Sequence, residues 1–264
     1  MTGILVIYAL ISGVSVGFIL GLIGGGGSIL ALPLLVYVVG MPSVHTAIGT
    51  SAAAVALNAM ASLAAHARRG TVRWGAAAVF AAAGMAGALV GAKFGKAVDG
   101  QRLLALFGIV MIAVGANMLR RSEAGEHMEL RFTRSTAVAM LPRLLAIGYG
   151  VGVLSGFFGI GGGFLIVPGL MLATGMRLSH AVGTSLVAVS AFGATTATSY
   201  AVSGLLDWKI GGLVVAGGVA GAVLGTSASV ALGRRKRALS LVFAAVVILV
   251  GLFILARGAS ALLQ

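Results

Sequence analysis

The chain has no cysteine, so a disulfide framework and thiolate metal sites are excluded. Charge is scarce: only 9% of the 264 residues are Asp, Glu, Lys or Arg, against about a quarter in a soluble domain. Acidic residues number five, and Asp99, Glu123, Glu126, Glu129 and Asp207 all fall in predicted loops or at helix boundaries. No carboxylate therefore sits inside an apolar run, where ionisable groups mark proton and cation pathways, which argues against a carboxylate-type cation antiporter. No cluster of His, Asp and Glu has metal-ligand spacing, so a metalloenzyme is not expected. A G-x-x-x-x-G-K-[ST] loop is missing, which removes ATP hydrolysis. No nucleophile–base–acid arrangement is visible; the chain is read as a non-enzyme without a cofactor.

What is present is apolar. Hydrophobic residues make up 59% and mean hydropathy is +1.12. The runs are far longer than the roughly ten-residue strands of a membrane barrel, so the expected fold class is an all-α polytopic membrane protein. Net charge is +13. In such a chain the excess reports loops facing anionic lipid rather than nucleic-acid binding. Residues 1–22 lack a basic leader and read as a retained membrane segment.

Glycine is abundant, with 42 residues, and it is ordered. A cluster at 21–28 (Gly-Leu-Ile-Gly-Gly-Gly-Gly-Ser) is followed by Pro33, and one at 156–163 (Gly-Phe-Phe-Gly-Ile-Gly-Gly-Gly) by Pro168. An offset of 135 aligns Gly13, Gly17, Gly21, Gly24, Gly26, Gly27 and Pro33 with Gly148, Gly152, Gly156, Gly159, Gly161, Gly162 and Pro168. After one residue is lost, an offset of 134 aligns Gly49-Thr50-Ser51 with Gly183-Thr184-Ser185, Trp74 with Trp208, and Gly84, Gly87 and Gly91 with Gly218, Gly221 and Gly225. The chain is internally duplicated. Residues 1–120 form one repeat, 121–140 a polar cytoplasmic linker, and 141–264 the second repeat. In the first repeat, helices are predicted over 4–22, 26–39, 46–66, 74–92 and 103–119, with Lys93 and Lys96 in the loop after the fourth.

Basic residues decide how the halves are related. If each glycine cluster turns the chain back, a half has five segments and the halves are inverted. Thirteen basic residues then lie on one side, and five (Lys93, Lys96, Arg102, Lys209 and Arg257) on the other. If the clusters only bend a helix, the split is ten to eight. The positive-inside rule favours roughly ten segments, inverted repeats, and both termini outside. The short second segments would then bring broken helices or hairpins toward the midplane, where inverted-repeat transporters hold substrate.

These residues resemble the sulfite exporter TauE/SafE family, also called the toluene sulfonate uptake permease family. The likeness rests on the G-x-x-G-x-G-G cluster with a downstream proline and on the G-T-S motif, each nearly repeated in both halves. It covers essentially the whole chain. It implies a secondary transporter in the bacterial inner membrane. The cargo would be a small anion such as sulfite, a sulfonate or sulfoacetate, moved by alternating access. Two alternatives are a passive anion channel and a non-transporting accessory subunit. Membrane lipid is the other expected partner, and no motif in the sequence specifies an oligomeric state.

Candidate substrate contacts follow from the clusters. Gly24, Gly25, Gly26, Gly27, Ser28, Gly159, Gly161, Gly162 and Gly163 expose backbone N–H groups at a helix start, which suits an anion. Consecutive glycines exceed what helix packing needs, whereas Gly13, Gly17, Gly87, Gly91, Gly221 and Gly225 read as packing rows. Thr50, Ser51, Thr184 and Ser185 could donate hydroxyls to oxyanion oxygens, or bond their own helix carbonyls. His45 and His180 are candidates for a proton or anion relay, set against an ordinary histidine at the membrane edge. Asn58 needs a partner, with helix–helix bonding the expected one, and its counterpart in the other half is Phe192. Trp74 and Trp208 read as interfacial anchors.

Overall fold

A computed structural model describes residues 3–23, 25–121, 134–231 and 236–262. Much of the 121–140 linker and Gly24 lie outside them. The described chain is helical throughout: α1 (Gly3–Ile23), a 3₁₀ stretch (Gly25–Leu30), α2 (Ala31–Pro33) running into a π turn (Leu34–Val38), then α3 (Val44–Arg68), α4 (Trp74–Ala97), α5 (Gly100–Arg121), α6 (Arg134–Phe158), α7 (Gly163–Thr174), α8 (Leu178–Val202), α9 (Trp208–Ala231) and α10 (Lys236–Leu262). Seven of these helices are long and apolar enough to cross a membrane. The protein is an all-α polytopic membrane protein.

The two largest differences from the sequence expectation are at helix boundaries. α6 begins at Arg134, inside the stretch read as linker. α4 continues to Ala97, so Lys93 and Lys96 belong to its last turns rather than to a loop. Lys96 can remain helical because its ammonium reaches across to α8. It donates to Ser199 O (3.0 Å), Ser199 Oγ (3.1 Å) and Ser203 Oγ (2.9 Å), and lies 5.6 Å from the centre of the Tyr200 ring.

Both described acidic residues act at helix starts. Asp99 Oδ1 accepts from the N–H groups of Gln101 and Arg102, and Asp207 Oδ1 from those of Lys209 and Ile210. A carboxylate there satisfies donors that lack an intrahelical acceptor and complements the helix dipole.

Glycine rows set the closest packing. A Cβ on Gly13, Gly17 or Gly21 of α1 would meet backbone of Val214, Gly218 or Ala222 of α9. The rising order on both helices makes them parallel. The same holds for α4 and α6: Gly87, Gly91 and Gly95 face Tyr149, Val153 and Phe157. Without side chains between them, the backbones approach to van der Waals contact, the main attraction open to helices that lose no water on pairing.

The remaining major pairs run the other way. In α5 and α10, Gly108 faces Gly251 while Gly115 faces Ala244 and Ile248. Within α3 and α8, Gly49 faces Tyr200 while Gly193 faces Ala52 and Ala56. α5 and α10 occupy equivalent places in the two repeats, as do α3 and α8. Equivalent helices that cross antiparallel require an axis perpendicular to the helices, so the repeats are inverted. Parallel repeats would have made both pairs parallel.

Candidate functional site

Both glycine clusters turn the chain back. On the first, a Cβ at Gly27 would press on the backbone of Ile19 and Leu20 in α1. On the second, Gly162 lies against Ser155 and Gly169 against Ile147 and Val151, so α7 runs back along α6. α7 has 12 residues, or about 18 Å at 1.5 Å per residue, well short of a 30 Å core. The two hairpins touch each other; the first also packs on α8, and the turn of the second rests on Ile48, Ser51 and Val55 of α3.

The second turn is built from left-handed glycines: Gly159 (φ 65°), Gly161 (φ 62°) and Gly162 (φ 67°). A side chain at these angles brings Cβ against the carbonyl, which explains three glycines within four residues. Gly161 is held at the centre of the molecule. A Cβ there would lie 2.9 Å from Val55 Cγ1 of α3 and 3.5 Å from Val189 Cγ1 of α8. Val55 and Val189 are repeat equivalents, 134 residues apart. The turn therefore sits where the antiparallel α3 and α8 cross, next to the axis relating the halves.

α3 presents one stripe toward this region: Ser51, Val55 and Asn58, at spacings of four and three. The Ser51 hydroxyl lies 2.9 Å from Ile48 O and 3.1 Å from Gly159 O, tying α3 to the second hairpin. Ser185, its counterpart, donates to Val182 O at 2.8 Å. Gly27 and Ser28 are fully buried in the first hairpin. Gly25 and Gly26 lie in its 3₁₀ stretch, and Gly163 opens α7.

The threonines of the two G-T-S motifs go elsewhere. Thr50 Oγ1 accepts from Asp207 N at 3.0 Å, and Thr184 Oγ1 from Arg73 N at 3.0 Å. Asp207 and Arg73 precede α9 and α4 and are themselves 134 residues apart. Each threonine thus anchors a loop of the other half, and the two lie at opposite ends of the bundle. The histidines are separated in the same way. His180, at the start of α8, has Nδ1 3.1 Å from Thr71 O and Nε2 3.4 Å from Arg73 Nη2. His45 stands in the first turn of α3, at the other end, with a buried Nδ1 that has no partner.

Asn58 is fully buried and neither amide atom has a partner, so the expected helix–helix bond is not found. It lies against Gly218 of α9. Phe192, at the equivalent place, stacks on Phe80 with ring centres 6.1 Å apart. The two half-sites are thus polar on one side and aromatic on the other. Sequence reasoning passed over Val55, Val189 and Ser155. The signal available for Ser155 was its position, a lone hydroxyl directly before the second glycine cluster.

This architecture has relatives. The pattern of the family described as sulfite exporter TauE/SafE matches residues 9–254. A protein of Xylella fastidiosa (strain 9a5c), named a probable membrane transporter protein, is 48% identical over 246 residues, covering 93% of both chains. The probable membrane transporter protein YdhB of Bacillus subtilis is 28% identical over 79% of this chain and 84% of its own. The probable membrane transporter protein MJ0441 of Methanocaldococcus jannaschii is 32% identical over 60% of each. No solved structure matches the chain. With a family pattern spanning nearly every described helix and a relative of almost half identity along the same length, the chain belongs to the sulfite exporter TauE/SafE family of membrane transporters.

Proposed function

We propose that the protein is a secondary carrier for a small anion, a sulfur oxyanion or organosulfonate, working by alternating access without catalysis. The observation that carries this reading is the position of Gly161, between Val55 and Val189 at the crossing of the inverted halves. A site beside that axis can be reached from either face by rocking one repeat against the other. Amides left without an intrahelical acceptor at the start of a half-helix supply donors for an anion there. The candidate contacts are the two glycine clusters with Ser28 and Ser51. Thr50, Thr184 and Ser185 support them from the flanking helices, and His45 and His180 stand at the two ends of the path.

The membrane is the bacterial inner membrane, with both termini outside and the linker after α5 cytoplasmic. Loops rich in arginine, at Arg68, Arg69, Arg73 and Arg177, share one end of the bundle, as the positive-inside rule requires of a cytoplasmic face.

Counterflow in proteoliposomes tests the reading. Saturable uptake of sulfite or methanesulfonate, accelerated by the same anion inside, is expected. Ohmic single-channel currents would replace the carrier by a channel. Absence of flux and of binding for every anion tried would refute both.

A further inference from the structure

We propose that the anion subsite belongs to the second half alone, and that Ser155 Oγ is one of its ligands, together with the first N–H groups of α7. This rests on the anion-carrier reading and sharpens it. α7 is a 12-residue helix with Pro168 inside it, entered through Gly162 in the left-handed conformation, with no side chain capping its start. The N–H groups of Leu165 and Ile166 both bond Gly162 O at 2.9 Å. Those of Gly163 and Phe164, the two residues just before them, have no intrahelical acceptor to use.

Ser155 stands against this helix start. A Cβ on Gly162 would lie 2.8 Å from Ser155 Cβ and 2.9 Å from its Oγ. Ser155 is fully buried, and its hydroxyl has no partner. Most serine and threonine hydroxyls in these helices are bonded, although Ser12, Ser62 and Thr196 are also buried without a partner; Ser155 differs from them in standing at a helix start. Ser185, Ser190, Thr195 and Thr226 each donate to a carbonyl three or four residues back, the usual resolution for a hydroxyl in an apolar setting. A buried donor left unmade is costly, so its retention beside a helix N-terminus points to an acceptor that arrives from outside.

The first half lacks the same equipment. Leu20 stands at the place of Ser155. Its hairpin arm is also helical, passing from 3₁₀ to α to π over 25–38, so what its described residues lack is a hydroxyl at the place of Ser155 and the left-handed glycine entry of α7. The two halves therefore share a backbone plan but divide the work. The second offers donors, and the first closes over it through Val55 and Ser51. The donors are neutral, so the ligand class is a monoanion with several acceptor oxygens, such as a sulfonate or hydrogensulfite. A dianion would bring twice the negative charge into a buried site of neutral donors, with a much larger desolvation cost.

The test is anion binding to the purified full chain in nanodiscs, using methanesulfonate and sulfite, for the parent, Ser155→Ala, Ser155→Cys and Thr196→Ala. Loss of a hydrogen bond to a charged group predicts about a tenfold weaker Kd for Ser155→Ala. The cysteine variant, near in shape but a poorer donor, should fall between. Unliganded Ser155→Ala should melt at or above the parent, because an unpartnered hydroxyl has been removed; a structural role for Ser155 predicts the opposite. Thr196, another buried hydroxyl without a partner, should tolerate alanine with affinity unchanged. Parent-like affinity in Ser155→Ala, or in Ser155→Cys should the alanine variant not fold, overturns the subsite and leaves the carrier reading intact. A parent chain that binds no anion overturns the carrier reading itself.

Discussion

Gly161→Ala isolates the central turn. At φ 62° an alanine incurs about 1–2 kcal/mol of local strain. Its Cβ would sit 2.9 Å from Val55 Cγ1, which must retreat by several tenths of an ångström. Overpacking of this kind costs about 1–3 kcal/mol. The two effects have different origins and add to roughly 2–5 kcal/mol of destabilisation. Shortening Val55 to alanine removes the steric part but not the backbone part. A double-mutant cycle on Gly161→Ala and Val55→Ala should therefore show a favourable coupling of about 1–3 kcal/mol. Unfolding of the purified protein in mixed micelles, followed by circular dichroism, measures stability, and proteoliposome flux runs in parallel. Flux should fall in Gly161→Ala even where the protein remains folded. Stability within about 0.5 kcal/mol of the parent, with no coupling to Val55, would show that the turn is not clamped at the helix crossing. If parent-rate flux accompanied that result, the glycine cluster would be a packing device.

Four further outcomes are expected. Gly17→Ala should destabilise the chain by at least about 1–3 kcal/mol, because its Cβ lands on the backbone of Gly218 and α1 must move off α9; unfolding in the same micelles checks it. Gly150→Ala, exposed on α6 with open space around it, should be neutral or stabilising by about 0.5–1 kcal/mol in the same assay. Thr50→Val and Thr184→Val should each cost about 1–3 kcal/mol, and by similar amounts, since each deprives a repeat-equivalent loop N–H of its acceptor. Accelerated hydrogen exchange at Asp207 and Arg73 respectively is the local readout. Ser51→Ala should loosen the second hairpin, seen as faster hydrogen exchange at residues 159–162, because Gly159 O loses the hydroxyl 3.1 Å away.

A one-dimensional pattern settled a good deal. Composition alone placed the chain in a membrane, because a 59% hydrophobic chain with 9% charge has too little polar surface for water. The glycine offsets of 135 and 134 and the bias of arginine toward one set of loops pointed to inverted halves. Both are periodic or additive signals, and such signals survive without contacts. The packing rows at Gly13, Gly17, Gly87 and Gly91 were readable for the same reason, since a four-residue spacing fixes a helix face.

Which polar groups are already occupied could be decided only in three dimensions. Thr50 and Ser51 are neighbours in sequence, yet a helix turns 100° between them. One therefore reaches Asp207 in a loop of the other half while the other reaches Gly159 in the opposite hairpin. Lys96 read as a loop residue because local hydropathy falls there; Ser199 and Ser203, more than a hundred residues later, keep it helical. Ser155 and Leu20 occupy equal places in the repeat, and the sequence marks Ser155 only by a hydroxyl before the glycine cluster. Only the folded chain shows that Ser155 faces the start of a half-helix with its hydroxyl unbonded. Hydrogen-bond satisfaction is a property of neighbours in space, and in an inverted repeat those neighbours come from the far half of the chain.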